Sequence, residues 1–171
     1  MRLHIVHRYK YPIDLVVKVA HYDQVETLAP YRELPDVLDV RKTHFEEHPD
    51  GRQDIELTYC AHGQIPKIAQ KLISPGMITW KEVGRWDPAE MSYHFEIIPF
   101  FLRNFFMCRG KWVYQQKNDR VVLSLEGQLH FKFPVIGPIV EQAIAREFYR
   151  NQDFLYRENL RRLRDTAQCE Q

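Results

Sequence analysis

The sequence predicts an α+β domain in which a curved antiparallel sheet of about six to seven strands wraps around one long C-terminal helix. Three observations carry that expectation. Apolar and polar residues alternate with period two in segment after segment from Val37 onward, the mark of an antiparallel sheet with one packed and one wet face. The final stretch instead repeats its apolar residues at helical spacing, with no breaker after Pro138. A sheet of that size with a single long helix must lay the helix across its apolar face.

Each element follows from its residues. In LHIVHRYKY, Leu3, Ile5, His7 and Tyr9 alternate with His4, Val6, Arg8 and Lys10, a half-buried first strand. Pro12 opens PIDLVVKVAHYDQVETLAPYR, read as two short helices broken near residues 21–23 and ended by Pro30 and Pro35. VLDVRKTHFEEH and QDIELTYCAH form a hairpin across PDGR, with Asp50-Gly51 as the turn signal and Ile55, Leu57, Tyr59 and Ala61 on one face. GQIPKIAQKLISPG does not alternate. Its Ile65, Ile68, Ala69, Leu72 and Ile73 recur at helical spacing, which gives a short amphipathic helix or an ordered loop.

Strands resume in MITWKEVGRW and, after the turn DPAE, in MSYHFEII, where Met91, Tyr93, Phe95 and Ile97 share a face. MCRGKWVYQQ, the turn KNDR and RVVLSLEGQLHFKF follow. In the last, Val121, Leu123, Leu125, Leu129, Phe131 and Phe133 oppose Val122, Ser124, Glu126, Gln128, His130 and Lys132. FPVIGPIVEQAIAREFYRNQDFLYRENLRRLRDTAQ carries Ile139, Val140, Ala143, Ile144, Phe148, Leu155 and Leu163, predicting a helix of about 25 to 30 residues, or about 40 Å.

The stretch IIPFFLRNFFMC, residues 97–108, is the most apolar in the chain. It falls far short of the roughly 20 residues a spanning helix needs, and Arg103 and Asn104 interrupt it. Pro99 blocks central-strand pairing, so the run joins two strands at one end of the sheet. Either it tucks under the terminal helix beside a cavity, or Phe100, Phe101 and Leu102 are exposed and touch a membrane or partner.

Bulk properties narrow the function. The 171 residues fit one domain spanning 1–171, with 168–171 a frayed tail. Lys plus Arg (24) nearly balances Asp plus Glu (23), so no global field advertises a nucleic acid. The N-terminus lacks the pattern of a secretion signal, and the three cysteines, Cys60, Cys108 and Cys169, include no CxxC pair. A reducing, cytoplasmic setting follows, peripheral at a membrane surface if the apolar loop is exposed.

No GxSxG, GxGxxG or Walker pattern is present, and none of the eight histidines forms a ligand motif. No catalytic residue, metal ligand or cofactor is therefore assigned. His7 stands apart, because it shares the apolar face of its strand and could address a ligand headgroup or act as a general acid. Polar-tipped aromatics on the predicted inner face, Tyr9, Tyr59, Trp80, Tyr93, Trp112 and Tyr114, suit a cavity holding an amphipathic ligand; alternatively their polar tips bond to backbone within a filled core. Phe95, Ile144 and Phe148 complete the candidate lining. If the ligand has an anionic headgroup, Arg146 and Arg150 on the terminal helix are its candidates.

At this level the chain resembles the START-like, or helix-grip, superfamily (SRPBCC), which includes polyketide cyclases, pollen-allergen-type carriers and lipid-transfer domains. HRYKYPIDLVVKVA looks like the family's first strand entering its first helix. FPVIGPIVEQAI, with Glu141, resembles the entry to its last helix. HPDGRQDIELTYCAHGQIPKIAQKLIS resembles the PRELI-type phospholipid-transfer branch, in which a Pro-containing segment forms a lid, and the same layout occurs in bacterial START-like proteins. The resemblance implies lid roles for Ile65, Pro66, Ile68, Ala69 and Leu72. Three functions stand open: a carrier of a hydrophobic or lipid-like molecule, a cyclase or dehydratase using the same cavity, or an interaction module with a filled core. The carrier is favoured, since no catalytic constellation supports the enzyme.

Overall fold

The computed structural model describes residues 1–62, 66–71, 74 and 78–169. In chain order its elements are β1 (Arg2–Tyr9), α1 (Ile13–Val17), a π-helical turn (Lys18–Tyr22), α2 (Asp23–Thr27), α3 (Ala29–Arg32), β2 (Val37–Glu47), β3 (Gln53–Ala61), β4 (Thr79–Asp87), β5 (Ser92–Pro99), a 3-10 turn (Arg103–Phe105), β6 (Phe106–Lys117), β7 (Arg120–Phe131) and α4 (Gly137–Cys169). The strands form one antiparallel sheet in the order β1-β7-β6-β5-β4-β3-β2. Strands β2 to β7 each pair with the next, and β1 closes onto β7 with His7 opposite Leu123.

The β2–β3 hairpin turns at Gly51, whose φ of 83° suits a residue without Cβ. Strand β2 is an edge, carries two register irregularities, and is mostly exposed and charged, devices that discourage pairing with another chain.

Curvature has a local cause. Gly84, Phe95, Gly110 and Gly127 stand in one row across β4, β5, β6 and β7. A Cβ at Gly127 would lie 2.8 Å from the Arg109 carbonyl oxygen, and one at Gly110 would lie 2.9 Å from the Phe95 ring. Three bare positions in one row let the sheet bend over its concave face.

Three expectations need correction. Residues 13–27 are one continuous helical run, because the region near residues 21–23 is a wide π-turn and not a break. The chain breaks instead at Leu28, with a φ of 57°, and Pro30 lies within the first turn of α3, where its missing N–H costs nothing. Helix α4 runs 33 residues, about 50 Å. Ile139 on α4 is 43% exposed, since Val140, Ile144, Phe148, Leu155 and Leu163 already occupy the inward stripe and Ile139 lies one residue off it. The Glu141 carboxylate accepts the Phe131 N–H at 3.1 Å and ties the start of α4 to the end of β7. Among the described residues no helix is long and apolar enough to cross a membrane.

Candidate functional site

Two hollows lie between the sheet and α4, and Phe148 lines both. The outer one, of about 270 Å³, is apolar, walled by Trp80, Ile97, Phe106, Leu129 and Ile144. Pro66 and Ala69 border it on one side, and Phe101 and Leu102 on the other. Phe101 is 48% exposed, so the greasy β5–β6 connection forms the open edge of the hollow, while Leu102 packs with Phe131 and Val140. Asp36 and Glu147 lie at this hollow too, and both are ion-paired to Arg150.

The inner hollow, of about 80 Å³, is the more polar of the two. His7, His21, Gln24, Gln152, Asn159 and Glu82 contribute to it, together with Tyr31, Tyr93, Trp112, Tyr114 and Tyr156. Alternation along β4 explains how an acid arrives there. Trp80, Glu82, Gly84 and Trp86 project to the concave face, and a two-residue step of about 6.8 Å carries the strand from the apolar hollow to the polar one. Tyr93 lies across the bare Cα of Gly84, where a Cβ would meet its hydroxyl at 1.9 Å, and so reaches Glu82 to donate a hydrogen bond of 3.0 Å.

Part of the Glu82 surface remains accessible, but it opens into the hollow. Burial therefore pushes its carboxyl above the ordinary value, and the Tyr93 hydroxyl only partly opposes the shift. Burial drives the Tyr31 and Tyr93 phenols up as well, so both remain neutral donors. The histidines move the other way. Burial lowers His7 to about 4 against the pull of Asp153, and lowers His21 to about 4 against its bond to Gln53. His7 stacks on Tyr156 at 4.3 Å, and His21 on Trp86 at 4.2 Å. The Gln53 amide donates to Glu47 at 2.7 Å, which leaves its oxygen to accept His21 Nε2–H at 3.1 Å. Cys108, in the outer hollow, is held as the thiol by burial, at about 12.

Of the candidate lining residues, Trp80, Ile144 and Phe148 meet at the outer hollow and His7, Tyr93, Phe95, Trp112, Tyr114 and Phe148 at the inner one. Tyr9 and Tyr59 point inward but are packed into core clusters behind the walls. Of the lid candidates, Pro66 and Ala69 border the cavity within a hydrogen-bonded turn, Ile68 is 48% exposed, and Ile65 and Leu72 lie outside the described residues. Arg146 is exposed and lines neither hollow.

Sequence reasoning passed over Glu82, although Trp80 was already assigned inward and the same alternation reaches Glu82 two residues later. Gln152 and Asn159 lie on the helical stripe continuing from Phe148 through Leu155, a second legible signal. His21 and Tyr31 had none.

Two other features carry less. A solvent-open groove of about 890 Å³ crosses the opposite face of the sheet over the glycine row. Its charges lie in cross-strand arrays of mixed sign, such as Glu96 opposite Arg109 and Lys111 opposite Glu126. Glu46, His48 and Asp54 bring ligand atoms within 4.8 Å of one another, but Asp54 already binds His48 at 2.8 Å and Arg85 at 3.0 Å.

No protein-family model and no curated protein matches the chain. Solved structures share its fold. TTHA0849 from Thermus thermophilus is similar over 98% of this chain and 99% of its own, with a TM-score of 0.65 and 15% identity. The Zhui aromatase/cyclase from a Streptomyces species is similar over 95% and 96%, with a TM-score of 0.54 and 16% identity. A START superfamily protein from Mycobacterium smegmatis is similar over 92% and 95%, with a TM-score of 0.56 and 13% identity. The chain is thus a protein of the helix-grip fold.

Proposed function

We propose that the chain binds a hydrophobic or lipid-like small molecule between the sheet and α4 and acts as a carrier, in a reducing, cytoplasmic compartment. The observation that supports it best is an apolar hollow with an open aromatic edge beside a second, more polar one, with Phe148 on the wall of both. A sealed core gains nothing from a carboxyl and two histidines held at its centre, because each costs free energy to bury. Apolar ligand surface removed from water contributes about 25 cal/mol per Å². Pro66 and Ala69 act as part of a lid, and Phe100 and Phe101 touch the membrane from which a lipid-like ligand is drawn.

The test is whether purified protein carries an extra mass under native conditions that vanishes on denaturation, and whether filling the hollow removes it. Ala143 lines the outer hollow. Ala143→Trp is expected to abolish retention of the ligand and of a neutral fluorescent probe while the protein still melts cooperatively. Probe binding undiminished in that variant sinks the reading.

The pairing of Glu82 with Tyr93 favours a second reading, an enzyme of the aromatase/cyclase kind. A carboxyl raised toward neutrality, beside a phenol donor, suits proton transfer to a polyketide-like substrate. The two readings separate on Tyr93→Phe, which should abolish turnover of such a substrate while leaving its binding intact if the protein is an enzyme.

A further inference from the structure

The inner hollow carries a chemical preference, which rests on the reading of the cavity as a ligand site. Glu82 is the acid at the inner end, and it enters no ion pair among the described residues. Among the described residues, no Lys or Arg lines either hollow. Residues 63–65, 72–73 and 75–77, which border the described rim in sequence, contain no basic residue. Asp36 and Glu147 at the rim are different, because Arg150 already neutralises them.

Two further observations point the same way. Asn151 Oδ1, at the outer hollow, is a buried acceptor with no hydrogen-bond partner among the described residues. Glu82 accepts one bond, from Tyr93, and a carboxylate has capacity for about four. Among the described residues neither acceptor is answered by a Lys or Arg of the lining. Electron-rich rings of Tyr31, Tyr93, Trp112, Tyr114 and Tyr156 line the inner hollow around the acid, an environment that attracts cations. An anionic head would meet Glu82 with no cation to compensate it.

We propose that the inner hollow takes the protonated amine of an amphipathic ligand, with Glu82 as its counter-ion and the apolar tail lying along Phe148 and Trp80 toward Phe101. The same geometry argues against the anionic headgroup for which Arg146 and Arg150 were candidates. Arg146 is off the cavity, and Arg150 is engaged by Asp36 and Glu147.

The experiment displaces a neutral fluorescent probe with decylamine, decanol and decanoate, which share one tail and differ in head, at neutral pH. Decylamine is expected to displace the probe from the wild type at concentrations about tenfold or more below decanol, with decanoate weakest. Glu82→Gln should bring decylamine to the level of decanol and leave decanol within about twofold. Equal displacement by all three, or decanoate as the tightest, overturns the preference and leaves the cavity reading standing. So does decylamine binding that Glu82→Gln does not weaken. If the probe and all three compounds fail to bind, the cavity reading falls as well. Should Glu82→Gln fail to fold, the wild-type series alone decides.

Discussion

Truncating Trp86 to Ala is expected to lower the free energy of unfolding by about 3–5 kcal/mol. The indole is fully buried, and it packs with Tyr9, Val16, Val17, Tyr114, Val121 and Leu163, which belong to β1, α1, β6, β7 and α4. Its ring stacks on His21 at 4.2 Å and meets Tyr114 edge-on at 5.8 Å. Its Nε1–H donates to the Tyr22 hydroxyl at 3.0 Å. Loss of the side chain leaves a void where the helical run 13–27 seats on the sheet, and that run cannot settle into it without dragging His21 from Gln53. Trp80 is a useful control on the same face of the same strand. It is only partly buried and borders the outer hollow, so Trp80→Ala removes less stability and more ligand contact. Urea unfolding at neutral pH measures both. A loss below about 1 kcal/mol for Trp86→Ala contradicts the packing described.

Most of the architecture was legible because period-two alternation is a steric consequence of the strand itself. Each alternating segment became a strand, and the turns at Asp50-Gly51, 87–90 and 117–120 joined neighbours in the sheet. The helical run was misread for a physical reason. His21 and Gln24 look solvent-facing by type, yet both are buried, His21 against Trp86 and Gln53 and Gln24 against Asn159. Their partners lie 32 and 135 residues away, beyond the reach of local pattern.

Glu82 is the more instructive omission. Alternation assigns it inward as firmly as Trp80, but the cost of burying an acid argues locally for placing it outside. When pattern and polarity disagree at one position, the fold obeys the pattern and the polarity marks a site. The aromatic set drawn from inward alternation reached the two hollows in part. The difference between Trp112, which lines one, and Tyr9, which is sealed behind α4 by Asn159 and Tyr156, depends on how a helix 150 residues away packs.

The second large effect is acid destabilisation. His7 and His21 both have folded values near 4, below the ordinary 6.5, because burial disfavours the charged ring. Between those limits the unfolded chain binds a proton at each ring that the folded chain does not, so stability falls as pH falls from 6.5 toward 4 and levels off below. The difference corresponds to about 3 kcal/mol for each ring, a large share of what a domain of this size has to lose. Glu82 works in the opposite direction. Its folded value is raised, so the folded state takes up that proton first and regains stability as pH falls toward the ordinary carboxylate range. Asp54, Glu56 and Glu158 are held below the ordinary carboxylate range by cationic and hydroxyl partners, and their contributions are lost only at lower pH. Above the ordinary carboxylate range, the fall from pH 6.5 is thus a contest between two histidines and one glutamate. Urea midpoints at pH 7.5, 5.5 and 4.5 should fall steadily for the wild type and more gently for His21→Gln, which keeps a donor toward Gln53. Glu82→Gln should be the more stable protein at pH 7.5 and lose stability more steeply on acidification, because its offsetting proton site is gone. Parallel slopes in all three proteins would mean that these rings and this carboxyl are not buried as described, and the polar inner end of the cavity would go with them.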